Sequence, residues 1–308
     1  MADLTCVCCY FNPANFRVHA EKYRRFAAHM RESGVRLVTV ECVFPTGRVL
    51  PTGETVWQEF QVTNPGHPDH VQVLGRTPLW VKENLLNLGW ARCQTTNVMW
   101  SDTDIHFEDP RWVESTIEHL QIYSVVQPFS LLVHCAPDGR PLFQQHMSLA
   151  KYTTKIRLLP SLPNVKMVGD GRGGAYAFRR DALDQMGGLF DEHILGDGDD
   201  VLSFGLSGQI QQCIRDGAHP RVFDHLVQWT ARLQGLSFMS LRGIANHQWH
   251  GPLSARGYDS RWKILIEEHF NPETDLYRNE HGVWECTNVG INQRIAAYFV
   301  SRQEDALK

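Results

Sequence analysis

Apolar residues in this chain fall into short unbroken runs separated by amphipathic stretches, the pattern of buried parallel strands alternating with helices. The run Leu4-Thr5-Cys6-Val7-Cys8-Cys9-Tyr10 predicts a first strand over 4–10, ended by Asn12-Pro13. Charged and apolar residues at helical spacing predict a helix over 16–31, and a second strand follows over 35–44. This order implies a right-handed crossover and a parallel pair, which puts the loop 11–15 on the ligand side of the sheet. Alternating runs over 56–62 and 71–74 predict peripheral strands, and a helix is expected over 79–92. Thr96-Asn97-Val98-Met99-Trp100 then reads as a buried strand that stops at Ser101-Asp102-Thr103-Asp104. A helix over 110–121 and a strand over 123–127 complete an alternating α/β half.

Glycine and proline dominate 137–174, and beyond them the pattern predicts a strand over 175–178, a short helix over 180–186 and a helix over 200–207. Amphipathic helices are expected over 256–268 and 289–302. No internal repeat or low-complexity linker appears, so a single composite α/β domain is expected, with a mostly parallel, twisted, Rossmann-like sheet flanked by helices.

Composition narrows the class. With 43% hydrophobic and 21% charged residues over 308 positions, disorder, collagen and coiled coil are excluded. Thirty Lys and Arg against 34 Asp and Glu give a net charge of −4, so nothing global advertises a polyanionic partner. No window approaches the length of an apolar membrane helix, and Met1-Ala2-Asp3-Leu4-Thr5 lacks the basic then apolar pattern of a signal peptide, so a cytoplasmic protein is expected. The eight cysteines lack zinc-like pairing, and Cys6, Cys8 and Cys9 lie in a predicted central strand, so buried reduced thiols are expected.

Three clusters carry candidate chemistry. Asp102 and Asp104 lie two residues apart at a strand end, where paired carboxylates share a hard divalent cation with a diphosphate; the plain alternative is a solvated acidic turn. Gly196-Asp197-Gly198-Asp199-Asp200 runs into a helix, which reads either as a dipole-favoured N-terminus or as crowded carboxylates with raised pKa, suited to deprotonating a hydroxyl. The glycines before it, Gly173 and Gly174, permit close backbone approach to a ligand or simply form a turn. In the third cluster, Asn246-His247-Gln248-Trp249-His250-Gly251 is followed by Arg256-Gly257-Tyr258-Asp259-Ser260-Arg261, which offers imidazole ligands and guanidinium clamps or ordinary core and surface residues.

The strand end Trp100 to Phe107, the upstream Lys82-Glu83-Asn84-Leu85-Leu86-Asn87, the acidic run ending in Asp199-Asp200 and the His-x-x-His-Gly segment together resemble nucleotide-sugar glycosyltransferases of the GT-A fold, Asp-x-Asp type. The likeness is to a cytosolic bacterial and phage branch related to DNA-base glucosyltransferases, which implies the cytoplasm of a bacterial or virus-infected cell. It implies a hexosyl- or pentosyltransferase that uses Mn²⁺ or Mg²⁺ and a nucleotide-diphosphate sugar, a UDP-sugar foremost. Asp104 and His247 would be metal ligands, with Asp102 near the ribose or the metal's water shell. Lys82, Gly173, Gly174, His250, Arg256 and Arg261 would border the donor, and Asp200 or Asp199 would act as base. Residues 1–127 would form the nucleotide-sugar half and 128–308 the acceptor half.

The acceptor is open between a glycan or small molecule and a hydroxymethylated pyrimidine in DNA, for which 151–157, Arg172 and Arg179-Arg180 would supply a basic rim. A metal-dependent phosphohydrolase and a non-catalytic binding module are the competing classes.

Overall fold

The computed structural model describes residues 2–152, 159–258 and 260–306. In chain order it contains strand β1 (Leu4–Phe11), helix α1 (Arg17–Glu32), β2 (Arg36–Val43), a hairpin of β3 (Pro45–Val49) and β4 (Thr55–Trp57), β5 (His70–Leu74) and α2 (Lys82–Trp90). There follow β6 (Asn97–Ser101), β7 (Ile105–Phe107), α3 (Trp112–Leu120), β8 (Val125–Gln127), β9 (Leu131–Cys135), β10 (Pro141–Met147), α4 (Ser148–Tyr152) and β11 (Lys166–Gly171). The remainder is β12 (Ala175–Arg179), α5 (Arg180–Met186), α6 (Gly198–Leu206), α7 (Pro220–Ala231), β13 (Phe238–Ser240), β14 (Ile244–His247), α8 (Lys263–Glu267), α9 (Pro272–Asp275), β15 (Leu276–Arg278), β16 (Trp284–Cys286) and α10 (Val289–Ser301).

Seven strands form the main sheet in the order β13-β8-β12-β6-β1-β2-β5. All run parallel except β12, which is antiparallel to both β6 and β8. The chain winds outward from β1 to β2 and β5, then returns through α2 to β6 on the other flank of β1. Strand order therefore reverses between β1 and β6, and a crevice opens at their carboxyl ends, the usual ligand position of such a sheet.

Alternation along β1 explains how both faces are covered. Leu4, Cys6, Cys8 and Tyr10 point to one face, where Tyr23, Phe26 and Met30 of α1 and Trp112, Val113 and Leu120 of α3 pack on them. Val7 points to the other, against Leu86 of α2 and, further along, Leu183, Val201, Phe204 and Trp229 of α5, α6 and α7. Fully burying a side chain of this size contributes roughly 1.5–3 kcal/mol relative to leaving it in water. All eight cysteines are free, and those of β1 are held as thiols because burial pushes Cys8 up to about 12 and Cys6 upward as well.

A second sheet, β11-β10-β9-β14-β7, lies beyond the switch point. This sheet corrects the expectation of glycine- and proline-dominated loop over 137–174: Pro141–Met147 and Lys166–Gly171 are paired strands, masked in the sequence by interleaved polar residues such as Gln144, Gln145 and His146. Three further expectations change. The strand over 56–62 shrinks to Thr55–Trp57 in a hairpin, and the helix over 79–92 is shortened to Lys82–Trp90. The helix over 256–268 becomes a turn and the short Lys263–Glu267, because Gly257 adopts the left-handed conformation at φ 55°. The amphipathic helix Pro220–Ala231, with Pro at its first turn and His219 capping it, is an element the sequence reading did not include. Among the described residues no helix is long and apolar enough to cross a membrane.

Gly89 of α2 lies directly over the sheet, where a Cβ would come within 2.5 Å of Val7 Cγ1 and 2.8 Å of Val40 Cγ2. Gly89→Ala gains up to ~1 kcal/mol of helix propensity, but overpacking of this kind typically costs ~1–3 kcal/mol. Urea denaturation of the variant is expected to show a net loss of stability; an increase would mean that α2 shifts freely over the sheet.

Candidate active site

A cleft of about 610 Å³ opens at the carboxyl ends of β1 and β6 and is lined by the loop after β1, the turn 101–104, the glycines 171–174, the acidic run 196–200 and His247, His250, Arg256 and Arg261. All eleven residues given a metal, donor or base role from the sequence therefore line one space. A second, smaller cavity of about 280 Å³ under α3 contains no comparable group of ligand atoms.

The centre of the cleft is built by strand register. The two short strands β7 and β14 pair antiparallel with His247 opposite Ile105, which sets His247 beside Asp104; the Gln248 N–H then donates to the Asp104 carbonyl at 2.8 Å. Asp104 Oδ1 lies 3.6 Å from His247 Nε2, Asp104 Oδ2 lies 3.3 Å from His250 Nε2, and the two Nε2 atoms are 3.3 Å apart. One ligand atom from each residue falls within 4.8 Å of the others. Burial lowers both imidazoles well below their ordinary value, reinforced at His247 by His134 and Arg256 and at His250 by Lys22 and Arg256. Burial thus favours the neutral form of each ring, the form that ligates a metal. Burial opposes ionisation of Asp104, yet His250, Lys22 and Arg256 overcome it and hold the carboxyl below the usual range. Its Oδ1 is buried without a hydrogen bond. A buried carboxylate with an imidazole nitrogen facing each of its oxygens is a donor set that fits a divalent cation.

Asp102 stands apart from this triad. Its backbone N–H donates to Gly174 O at 2.8 Å, and its carboxylate meets Lys82 Nζ at 2.7 Å. Lys82 spans the cleft to Asp199 at 2.9 Å, and these two carboxylates overcome burial to keep the ammonium charged. Burial raises Asp102 to about 7 against the pull of Lys82. Gly173 makes room for this bridge, since a Cβ there would lie 2.2 Å from Asp199 Oδ2. Gly174, at φ 103°, occupies a left-handed conformation that only glycine adopts without strain.

On the far wall Asp200 faces Arg172 at 3.4 Å, and burial raises its carboxyl to about 6 against that partner. Arg261 is committed within the protein: its guanidinium and the Trp262 indole both donate to Asp197, which also pairs with Arg215 at 3.0 Å. Arg256 differs. It is 6% exposed, its Nη1 donates to Tyr258 Oη at 3.0 Å, its Nε has no hydrogen bond, and no carboxylate pairs with it among the described residues.

Among the described residues, those of the suggested basic rim do not form one surface. Arg172 precedes β12 at the cleft edge, whereas Arg179 and Arg180 lie at the opposite end of that strand, where Arg179 pairs with Asp181 at 2.9 Å and Arg180 donates to Thr95 O at 3.0 Å. Lys151 pairs with Asp170, and residues 153–158 lie outside the described residues.

Lys22, His19, Arg302 and Glu304 also line the cleft, with Lys22 Nζ 3.7 Å from Asp104 Oδ2. Sequence reading missed them because a lysine in an amphipathic helix, or charges at a helix end, ordinarily mark a solvated face.

No protein-family model matches the chain, and no curated protein matches it. Solved structures similar to it include the mannosyltransferase PcManGT from Pyrobaculum calidifontis in complex with GDP-Man and Mn²⁺, 11% identical, covering 97% of this chain and 69% of that chain, with a TM-score of 0.40. Glucosyl-3-phosphoglycerate synthase from Mycobacterium tuberculosis, in complex with Mn²⁺, UDP-glucose and phosphoglyceric acid, is 13% identical over 86% of this chain and 77% of that one, TM-score 0.37. The catalytic domain of Drosophila β1,4-galactosyltransferase 7, in complex with xylobiose, is 12% identical over 79% and 68%, TM-score 0.36. These likenesses are distant.

Glu83, beside Lys82, is pushed up to about 8 by burial, opposed by Lys82 and reinforced by Asp199. The fold thus retains a proton that the unfolded chain releases near the ordinary 4.5, and stability falls as pH climbs from that value towards 8. Glu83→Gln lacks this titration. Its urea midpoint relative to the wild type is expected to rise steadily between pH 5 and pH 8; a pH-independent difference would show that Glu83 is ionised in the fold.

Proposed function

We propose that this chain is a metal-dependent glycosyltransferase that moves a sugar from a nucleoside diphosphate sugar to an acceptor hydroxyl. The observation that supports it most is the convergence of Asp104, His247 and His250 beside the unpaired, buried guanidinium of Arg256, at the sheet's switch point. Asp104 would hold the cation through its carboxylate, and His247 and His250 through Nε2. Mg²⁺ takes oxygen ligands, so two imidazoles favour Mn²⁺. The cation, when bound, supplies Lewis-acid neutralisation of charge on the departing diphosphate.

The protein's own residues do the rest. Arg256 offers donors to the diphosphate without breaking an internal ion pair, which makes it a better anion partner than Arg261. Lys82 holds Asp102 and Asp199 together across the floor. Asp200, raised to about 6, is poised to accept the acceptor's hydroxyl proton near neutral pH. As that proton moves to Asp200, the acceptor oxygen bonds to the anomeric carbon and the bond from that carbon to the diphosphate oxygen breaks, its electron pair leaving with the diphosphate. This route inverts the anomeric centre. On this reading residues 1–127 supply the nucleotide-facing strand ends, and 128–308 supply the acceptor wall together with the two histidines.

A saccharide or small hydroxyl compound is the acceptor we favour over hydroxymethylated DNA, because Lys82, Arg172, Arg215 and Arg261 are all neutralised by carboxylates within the chain. UDP-sugars are the first donors to test.

Wild-type protein is expected to be stabilised by one nucleoside diphosphate in the presence of Mn²⁺, by ~2.7 kcal/mol at a hundredfold excess over Kd. Asp104→Ala should abolish that shift while keeping its ligand-free Tm; an unchanged Mn²⁺-dependent shift would reject the ligand set. Asp200→Asn should bind the donor normally and lose transfer by ~10²–10⁴-fold. Donor cleavage at the same rate with and without any acceptor, hydroxymethylated DNA included, would point to a hydrolase instead. Nucleotide binding that ignores Mn²⁺ and yields no turnover would point to a binding module.

A further inference from the structure

Glu304 is only 3% exposed, and it lies on the segment 302–306, which leaves α10 and folds back over the cleft. Contacts that do not involve its side chain fasten this segment. The Asp305 carboxylate accepts from the backbone N–H groups of Arg17 at 3.1 Å and Val18 at 3.0 Å, capping α1, whose own N-cap residue Phe16 offers no side-chain acceptor. The Trp249 indole donates to Ala306 O at 3.1 Å. Gly251 lies so close beneath the segment that a Cβ would come within 2.9 Å of Glu304 Cα.

Held this way, the Glu304 carboxylate is aimed at the back of the ligand triad. Its Oε2 accepts from His19 Nε2 at 2.6 Å and lies 3.4 Å from His250 Nδ1 and 4.0 Å from Lys22 Nζ, while Oε1 accepts from Arg302 Nε. His250 turns its other nitrogen, Nε2, towards Asp104 and His247. Its Nδ1 is buried and makes no hydrogen bond in this structure, and the carboxylate oxygen facing it is Glu304 Oε2 at 3.4 Å. A ligating imidazole ordinarily gives its remote N–H to a carboxylate or carbonyl, which fixes both tautomer and ring orientation.

We infer that Glu304 is a positioning residue for the metal centre, accepting the Nδ1 proton of His250 and so presenting Nε2 to the cation. The inference rests on the reading of Asp104, His247 and His250 as a cation site. It gives a physical reason for burying a glutamate in a segment so far along the chain from the acidic strand end. The competing explanation is a purely structural carboxylate that neutralises His19, Lys22 and Arg302 and has no bearing on the ligand geometry.

The test titrates Mn²⁺ alone, without nucleotide, into wild-type protein, Glu304→Gln, Glu304→Asp and Asp305→Asn by calorimetry, with the metal-free urea midpoint of each variant recorded. Loss of an orienting partner typically weakens metal binding by ~10–100-fold, and Glu304→Gln is expected in that range. Glu304→Asp keeps the charge but draws it back from Nδ1, so it too should bind more weakly; it also decides the matter should Glu304→Gln not fold. Asp305→Asn releases one fastening of the segment while the Trp249 and Gly251 contacts still hold it, so it should weaken binding by only a small part of the Glu304→Gln loss. Wild-type affinity in either folded Glu304 variant, or an equal loss in Asp305→Asn, would overturn the positioning role. Absence of Mn²⁺ binding by the wild type itself would reject the cation site, and with it this inference, before any variant is compared.

Discussion

The constraint on which the cleft depends is the burial of one ionised carboxylate, Asp104, in surroundings that contain too few hydrogen-bond donors for it. An isolated buried charge costs several kcal/mol unless it is paired or coordinates a cation. Lys22 and His250 approach one oxygen, yet the other is buried without a hydrogen bond and meets the His247 Nε2 at 3.6 Å. The protein tolerates this arrangement because β7 and β14 are paired in one register, and a shift of a single residue would turn His247 to the other face of its sheet. The second sheet is therefore the scaffold of the site, and Ile105, Phe107, Leu132, Met147 and Ala245 tie it into the core beneath α1 and α3.

Charge compensation around Asp104 is layered. Lys22 is the cation beside Asp104, Glu304 lies behind Lys22 and His250, and Arg302 and His19 lie behind Glu304. These neighbours overcome burial and keep Glu304 ionised, holding its carboxyl far below the ordinary range. Across the cleft the order is inverted: there Lys82 is the buried cation and Asp102 and Asp199 are its counterions. Between these two self-neutralised networks Arg256 is, among the described residues, the cleft cation without a carboxylate partner. An anionic ligand entering the cleft meets that guanidinium without having to displace an internal partner.

Much of the main sheet was legible because its strands are buried on both faces and read as continuous apolar runs, as in Leu4–Phe11 and Asn97–Ser101. The acidic strand end, the glycines, Asp199 with Asp200 and the two histidines were legible as spaced residue types, and all of them face one cleft. The second sheet was not, since Pro141–Met147 interleaves Gln and His, with Gln144 itself fully buried, and β7 and β14 are too short to show a period. Lys22 and Glu304 were invisible for a different reason. Their chemistry comes from burial, and a charged residue's burial is decided by what folds over it rather than by its neighbours in sequence.

The same distinction separates residues that the fold needs from residues that a ligand needs. Asp197 accepts from Arg261 and Trp262 and pairs with Arg215, tying the start of α6 to the turn before α8; its charge is used up within the protein. Asp200 lies three positions further on, is raised to about 6 by burial, and has Arg172 as its ion-pair partner. Neighbouring carboxylates on one helical turn thus divide into an anchor and a titratable group. That division follows from which of them meets a guanidinium and an indole in the interior, and it leaves Asp200 as the acid with basicity to spare at the cleft wall.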